Sequence, residues 1–97
     1  MTTGNFKTFE LIIANGTTEE LTLDTVVSTE KILKIHPNAD KMRLLLTPIT
    51  SVVVATESDL LLTKDEINDF EIGRGLDRIS IYNGSGGEVK VSIAVMF

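Results

Sequence analysis

The sequence predicts an all-β fold, a single small antiparallel β-sandwich or jelly-roll-like barrel of about seven to eight short strands, with residues 1–97 as one domain. Three observations carry this reading. Apolar residues alternate with a period of two through most of the chain, as half-buried strands require. Turn signals built on Gly, Asn and Pro recur at a spacing of about 8–12 residues. Finally, 42% of the residues are hydrophobic, but only four Phe, one Tyr and no Trp are among them, so the core must be built from Val, Ile and Leu.

The first strand runs from Phe6 to Ala14, with Phe9, Leu11 and Ile13 on one face and Thr8, Glu10 and Ile12 on the other. Asn15-Gly16 then reads as a type I′ hairpin turn, which needs positive φ at both positions, and Leu21 and Leu23 place a returning antiparallel strand behind it. In Val26 to Ile35 the residues Ile32, Leu33 and Ile35 suit either a strand or a single helical turn, and a strand is expected. His36 to Asp40 is a turn, because Pro37 drives His36 to an extended conformation.

Met42–Thr47 and Ile49–Thr56 read as two strands divided by Pro48, which cannot donate to a ladder. Their near-continuous apolar runs, Leu44–Leu46 and Val52–Val54, imply cover on both faces. Leu60–Leu62 follows as a short strand. Thr63 with Glu66 three residues on forms a capping-box pattern, and Ile67 and Phe70 behind it predict one short helix over residues 64–70. Arg78–Tyr82, the Gly-rich stretch 83–87 and Glu88–Phe97 read as a closing hairpin.

Composition narrows the function classes. A net charge of −5, with nine basic residues scattered singly, argues against a sequence-independent grip on nucleic acid. No cysteine is present, which removes disulfides and thiolate metal sites. Residues 1–10 have no apolar core of a signal peptide, and no apolar run approaches a membrane span, so a soluble, unprocessed chain without membrane partners is expected.

The last strand points to an assembling surface. Val89, Val91, Ile93, Val95 and Phe97 occupy one face, while the other changes from Lys90 and Ser92 to Ala94 and Met96. Its apolar end therefore needs a second cover, and a neighbouring copy is the sharper of two sources, the other being a loop or the short helix. Ala94, Met96 and Phe97 are the candidate interface residues.

Candidate chemistry is sparse. His36, the only histidine, sits beside Pro37 with no nucleophile motif near it, which suits a surface-turn residue better than a catalytic base or zinc ligand. Asp65, Glu66, Asp69 and Glu71 lack the spacing of an EF-hand loop. Asn15-Gly16-Thr17 and Asn83-Gly84-Ser85 match the glycosylation pattern, yet turns account for both. Gly73-Arg74-Gly75 and Gly84–Gly87 lack the context of a phosphate-binding loop. No catalytic, metal or cofactor site is expected, and the chain reads as a non-enzyme.

Several segments of residues 42–97 resemble small β-sandwich structural proteins of tailed-phage virions: Met42-Arg43-Leu44-Leu45-Leu46, Ser51-Val52-Val53-Val54-Ala55, Asp59-Leu60-Leu61-Leu62, Asp77-Arg78-Ile79-Ser80-Ile81-Tyr82 and Gly86-Gly87-Glu88-Val89-Lys90-Val91. In that group a V-x-V strand and a terminal I-Y … G-G-x-V-x-V hairpin recur in capsid-decorating, head-fibre and tail-associated proteins. The resemblance implies a virion location after assembly in a host cytoplasm, homo-oligomers with a trimer favoured, contacts with phage capsid or tail proteins, and no catalytic residues. A capsid decoration or fibre-base subunit is the leading expectation. The alternative is a glycan- or host-surface-binding module with calcium assistance, using the acids of residues 57–59 and 65–71 beside Tyr82.

Overall fold

A computed structural model describes residues 6–23, 31–72 and 75–96. Eight strands lie among them: β1 (Phe6–Ile13), β2 (Thr18–Thr22), β3 (Lys31–His36), β4 (Met42–Thr47), β5 (Leu60–Leu61), β6 (Asn68–Ile72), β7 (Arg78–Asn83) and β8 (Val89–Met96). They form two four-stranded sheets, ordered β1-β8-β3-β6 and β2-β7-β4-β5, in which every pairing is antiparallel. Apart from β4 and β5, each strand crosses to the opposite sheet from its predecessor, the winding of a jelly roll.

That winding corrects both expected hairpins. β1 pairs with β8 and β2 with β7, so Asn15-Gly16 is a corner between layers. Gly16 has φ 74°, but Asn15 is not in the positive region, so the type I′ geometry is absent. The Gly16 N–H instead donates to Asn83 O at 2.7 Å, tying the corner to the end of β7. Residues 83–87 likewise carry the chain from one sheet to the other. A turn dipeptide reverses the chain locally; which strand becomes the partner is decided by where the apolar faces can be buried.

No helix forms over residues 64–70. Asp65 takes φ 59°, outside the helical region, and the Asn68 side chain organises the loop by donating to the carbonyls of Ile35, Thr63 and Glu66 while accepting from Thr63 N–H. Beyond it Asn68, Phe70 and Ile72 alternate with Asp69 and Glu71, so the relevant period was two, not three. The strand expected at Ile49–Thr56 is also absent. Pro48 ends β4, and the chain continues as an irregular strap to residue 59. Residues 26–30, Gly73, Arg74 and Phe97 lie outside the described residues.

The core lies between the sheets. Leu33, Ile35, Val91, Ile93 and Val95 from one layer meet Met42, Leu44, Ile79 and Ile81 from the other, with Ile13, Leu23, Leu62, Ile72 and Val89 completing the cluster. On β1 the inward face is Phe9, Leu11 and Ile13, as the alternation implies. Two polar devices close the ends. Asn83, fully buried, donates through Nδ2 to Ile13 O and Gly87 O at 2.8 and 2.7 Å and accepts from Ser85 N–H. At the opposite end the buried Lys31 Nζ meets Asp77 Oδ1 at 2.5 Å, linking the first residue of β3 to the approach to β7.

Candidate functional site

The outer face of the β1-β8-β3-β6 sheet is built from cross-strand rows. One row reads Phe6, Met96, Ile32, Glu71 across the four strands. The next reads Thr8, Ala94, Lys34, Asp69, and the third Glu10, Ser92, His36. Ala94 and Met96 are half-buried here, while Phe6 is 68% exposed. The register therefore flanks Met96 with Phe6 and Ile32, two residues that sequence reasoning did not assign to this surface. Their period-two spacing from Thr8 and Lys34 was the signal that could have found them.

Beside that row lies a concavity of about 540 Å³, with Ala94 in its lining, Ile67 at its side and the flanks of Phe9 and Ile93 contributing. Its bordering charges are internally satisfied. Lys34 Nζ donates to Asp69 Oδ1 at 2.7 Å, and Lys90 pairs with Glu10 at 3.8 Å. Thr8, His36 and Ser92 share the rest of the lining with Phe9, Ile67, Ile93 and Ala94.

His36 and Ser92 are register partners in this concavity, with Glu10 on the far side of Ser92. A nucleophile needs its base within hydrogen-bond reach and an orienting acid behind the base. Among the described residues no hydrogen bond joins Ser92 to His36, and the acid is behind the serine instead. His36 is exposed, as a turn-flanking residue would be.

On the other layer, the strap after β4 crosses the outer face of β2-β7-β4-β5. Ala55 is buried against it, with its N–H donating to Ser80 Oγ at 2.8 Å and its carbonyl accepting from Thr18 Oγ1 at 2.8 Å. Arg43 Nη1 anchors the far end on Asp59 O at 3.2 Å. This strap explains the apolar run of β4 without a second subunit, because the chain itself covers the row that holds Ser80 and Leu45. It also corrects the reading of Val52–Val54 as doubly covered, since Val52 is 89% exposed and Val53 points outward with it.

The acids are not gathered. Asp59 Oδ2 accepts from Thr56 N–H and Oγ1, Asp69 is paired with Lys34, and Asp65 is a turn residue. Among the described residues no group of three His, Cys, Asp or Glu is placed to hold a metal ion. Tyr82 and Glu57 both line a polar hollow of about 480 Å³, shared with Arg43, Lys41 and Ser58. The sequon asparagine Asn83 is fully buried and spent on the fold, so no sugar can reach it. The Lys31–Asp77 pair was not foreseen, although Lys31, Leu33 and Ile35 share one face at period two.

No protein-family model and no curated protein matches the chain. Among solved structures, the crystal structure of the Cupin_2 domain of an XRE-family transcriptional regulator from Enterobacter cloacae superimposes with a TM-score of 0.60 at 16% identity, covering 95% of this chain and 81% of that one. A chain of the Bacillus endospore appendages, described as a novel family of disulfide-linked pili, gives a TM-score of 0.53 at 10% identity, covering 100% of this chain and 93% of that one. Identities this low carry the fold and nothing finer. By fold, then, this chain is similar to a cupin domain and to a chain of the endospore pili.

Proposed function

We propose that this chain is a non-enzymatic structural subunit that works by assembling with other copies through the outer face of the β1-β8-β3-β6 sheet. The observation that carries this is the row Phe6, Met96, Ile32, which sets apolar side chains across three adjacent strands of one outer face, with Phe6 68% exposed and Met96 and Ile32 half-buried among the described residues. Support comes from the interior, which is filled with aliphatic side chains, so binding is left to the surface. The pilus neighbour adds that this fold serves polymers elsewhere. With no cysteine, any assembly of this chain rests on packing instead of disulfides. The setting favoured by the resemblance of residues 42–97 is a virion, as a capsid decoration or fibre-base subunit with phage capsid or tail proteins as further partners.

Size-exclusion chromatography with light scattering tests this reading. A concentration-dependent oligomer is expected, and Met96→Asp should shift it to a folded monomer. A wild-type chain that stays monomeric at every concentration and ignores capsids and tails would end the proposal.

A second reading has one observation behind it. The hollow holding Tyr82, Arg43, Lys41, Glu57 and Ser58 combines an aromatic ring with two cations. It favours a glycan that carries an acid group over one held by calcium, because the acids themselves are dispersed. A glycan array with the Arg43→Ala variant as control decides it, and silence towards acidic sugars removes it.

A further inference from the structure

We infer that the hollow beside Tyr82 is a site for a sugar carrying one carboxylate, with Arg43 and Lys41 on the carboxylate and the Tyr82 ring under the sugar. This rests on the glycan reading above and names the acid group and its holders. The floor of the hollow is a cross-strand row on the outer face of the β2-β7-β4-β5 sheet, in which Thr18, Tyr82, Arg43 and Leu61 follow one another across the four strands. Tyr82 and Arg43 are directly opposed, at the spacing where neighbouring side chains share one surface. The walls are held by hydrogen bonds. On one side the strap turn carrying Glu57 and Ser58 is closed by Thr56 N–H, which donates to Asp59 Oδ2 at 2.8 Å, while Arg43 Nη1 donates to Asp59 O at 3.2 Å. On the other, Gly84 N–H donates to Lys41 O at 3.0 Å. A Cβ on Gly84 would lie 3.1 Å from the Tyr82 ring, so a glycine is what lets loop and ring come together.

Charge selects the ligand. Neither Lys41 nor Arg43 has a carboxylate partner among the described residues, although the chain as a whole carries a net charge of −5. Two cations against the single acid Glu57 leave one positive charge in the lining. A monoanion neutralises that charge, whereas a phosphate monoester, with a charge of about −1.5 to −2 at pH 7, overshoots it and is repelled by Glu57. Arg43 keeps its Nε and Nη2 donors without a partner among the described residues, and a guanidinium fork matches the two coplanar oxygens of a carboxylate. Tyr82 offers an apolar ring face with a hydroxyl at its tip, while Glu57 and Ser58 supply an acceptor and a hydroxyl for the hydroxyl groups of a sugar. The volume of about 480 Å³ falls within the range of small-ligand sites, about 300–1,000 Å³. The hollow is on the layer opposite the Phe6, Met96, Ile32 row, so assembly through that row leaves it open.

Tyr82 is the only tyrosine in a chain without tryptophan, so its fluorescence reports on this hollow alone. Titration with a glucuronate-containing disaccharide should change that emission to saturation, while the neutral glucose counterpart leaves it unchanged and the sulfated counterpart binds more weakly. Lys41→Gly removes one cation at a residue with φ 62°, a conformation glycine adopts freely, so the variant should fold, with circular dichroism matching the wild type. It should bind the glucuronate disaccharide on the order of tenfold more weakly. Arg43→Lys keeps the charge but loses the fork, and a similar factor is expected. A sulfated disaccharide that binds as tightly as the glucuronate one, or more tightly, would overturn the carboxylate assignment while leaving the acid-glycan reading standing. Glucuronate binding that both variants leave intact would overturn the roles of Lys41 and Arg43, again without removing that reading. Silence of Tyr82 and of the glycan array towards every acidic sugar would overturn both.

Discussion

Asn83 shows how much of this fold rests on single polar side chains. Its side chain holds the end of β1 through Ile13 O and the entry to β8 through Gly87 O and Ser85 N–H, and its backbone exchanges bonds with Gly16 and Thr17. Asn83→Ala would strand buried carbonyls without donors, so a loss of about 2–4 kcal/mol is expected in urea unfolding. Asn83→Asp should be no better, because a carboxylate cannot donate to the two carbonyls. The Lys31–Asp77 pair behaves differently. Removing one partner leaves an uncompensated buried charge, and Asp77→Ala should cost about 3–5 kcal/mol, whereas joint replacement by apolar residues, as in Lys31→Met/Asp77→Leu, should recover most of that loss. A double-mutant cycle measures the difference. Gly84 is a third sensitive position, since an added Cβ would lie 3.1 Å from Lys41 O and from the Tyr82 ring.

Among the elements, the strap decides what the β2-β7-β4-β5 sheet presents to solvent. It has no ladder of its own and is held by a few side-chain bonds, of which the Ala55 N–H to Ser80 Oγ bond is the central one. Ser80→Ala leaves the Ala55 N–H buried without an acceptor, with an expected cost of about 1–3 kcal/mol and faster hydrogen exchange at Ala55 than at the β7 amides. β8 is the counterpart on the other layer. Its inner face is uniformly aliphatic, and its outer face changes from Lys90 and Ser92 to Ala94 and Met96, so one strand serves the core along its whole length and a surface along half of it.

For the whole molecule, the sandwich is a filled one, with aliphatic layers meeting between the sheets and both concavities on the outside. The proposed assembly draws on its faces. On that proposal, Met96→Asp should leave a monomer with little change in thermal stability, because Met96 is on the outer face beside Phe6 and Ile32. Should Met96→Asp unfold the chain instead, as read by circular dichroism, the outer row is part of the core and the contact lies elsewhere. Sequence spacing was enough to place Ala94 and Met96 on that face; their neighbours Phe6, Ile32 and Ile67 come from β1, β3 and the loop before β6, brought in by register and topology.

The sequence by itself determined the class of structure, the positions of most strands and the inward faces of β1 and β8, because these follow from alternation along the chain. It also determined the aliphatic core, since composition offered no other. Only the tertiary structure decided that β1 and β2 part company at Asn15-Gly16, that residues 64–70 turn and extend instead of coiling, and that Val52–Val53 stands out from the surface. The physical reason is common to the three. Local residue types set how the chain can bend, but which sheet a strand joins, and which side of a strap meets water, depends on burying the aliphatic faces of strands far apart in sequence against one another.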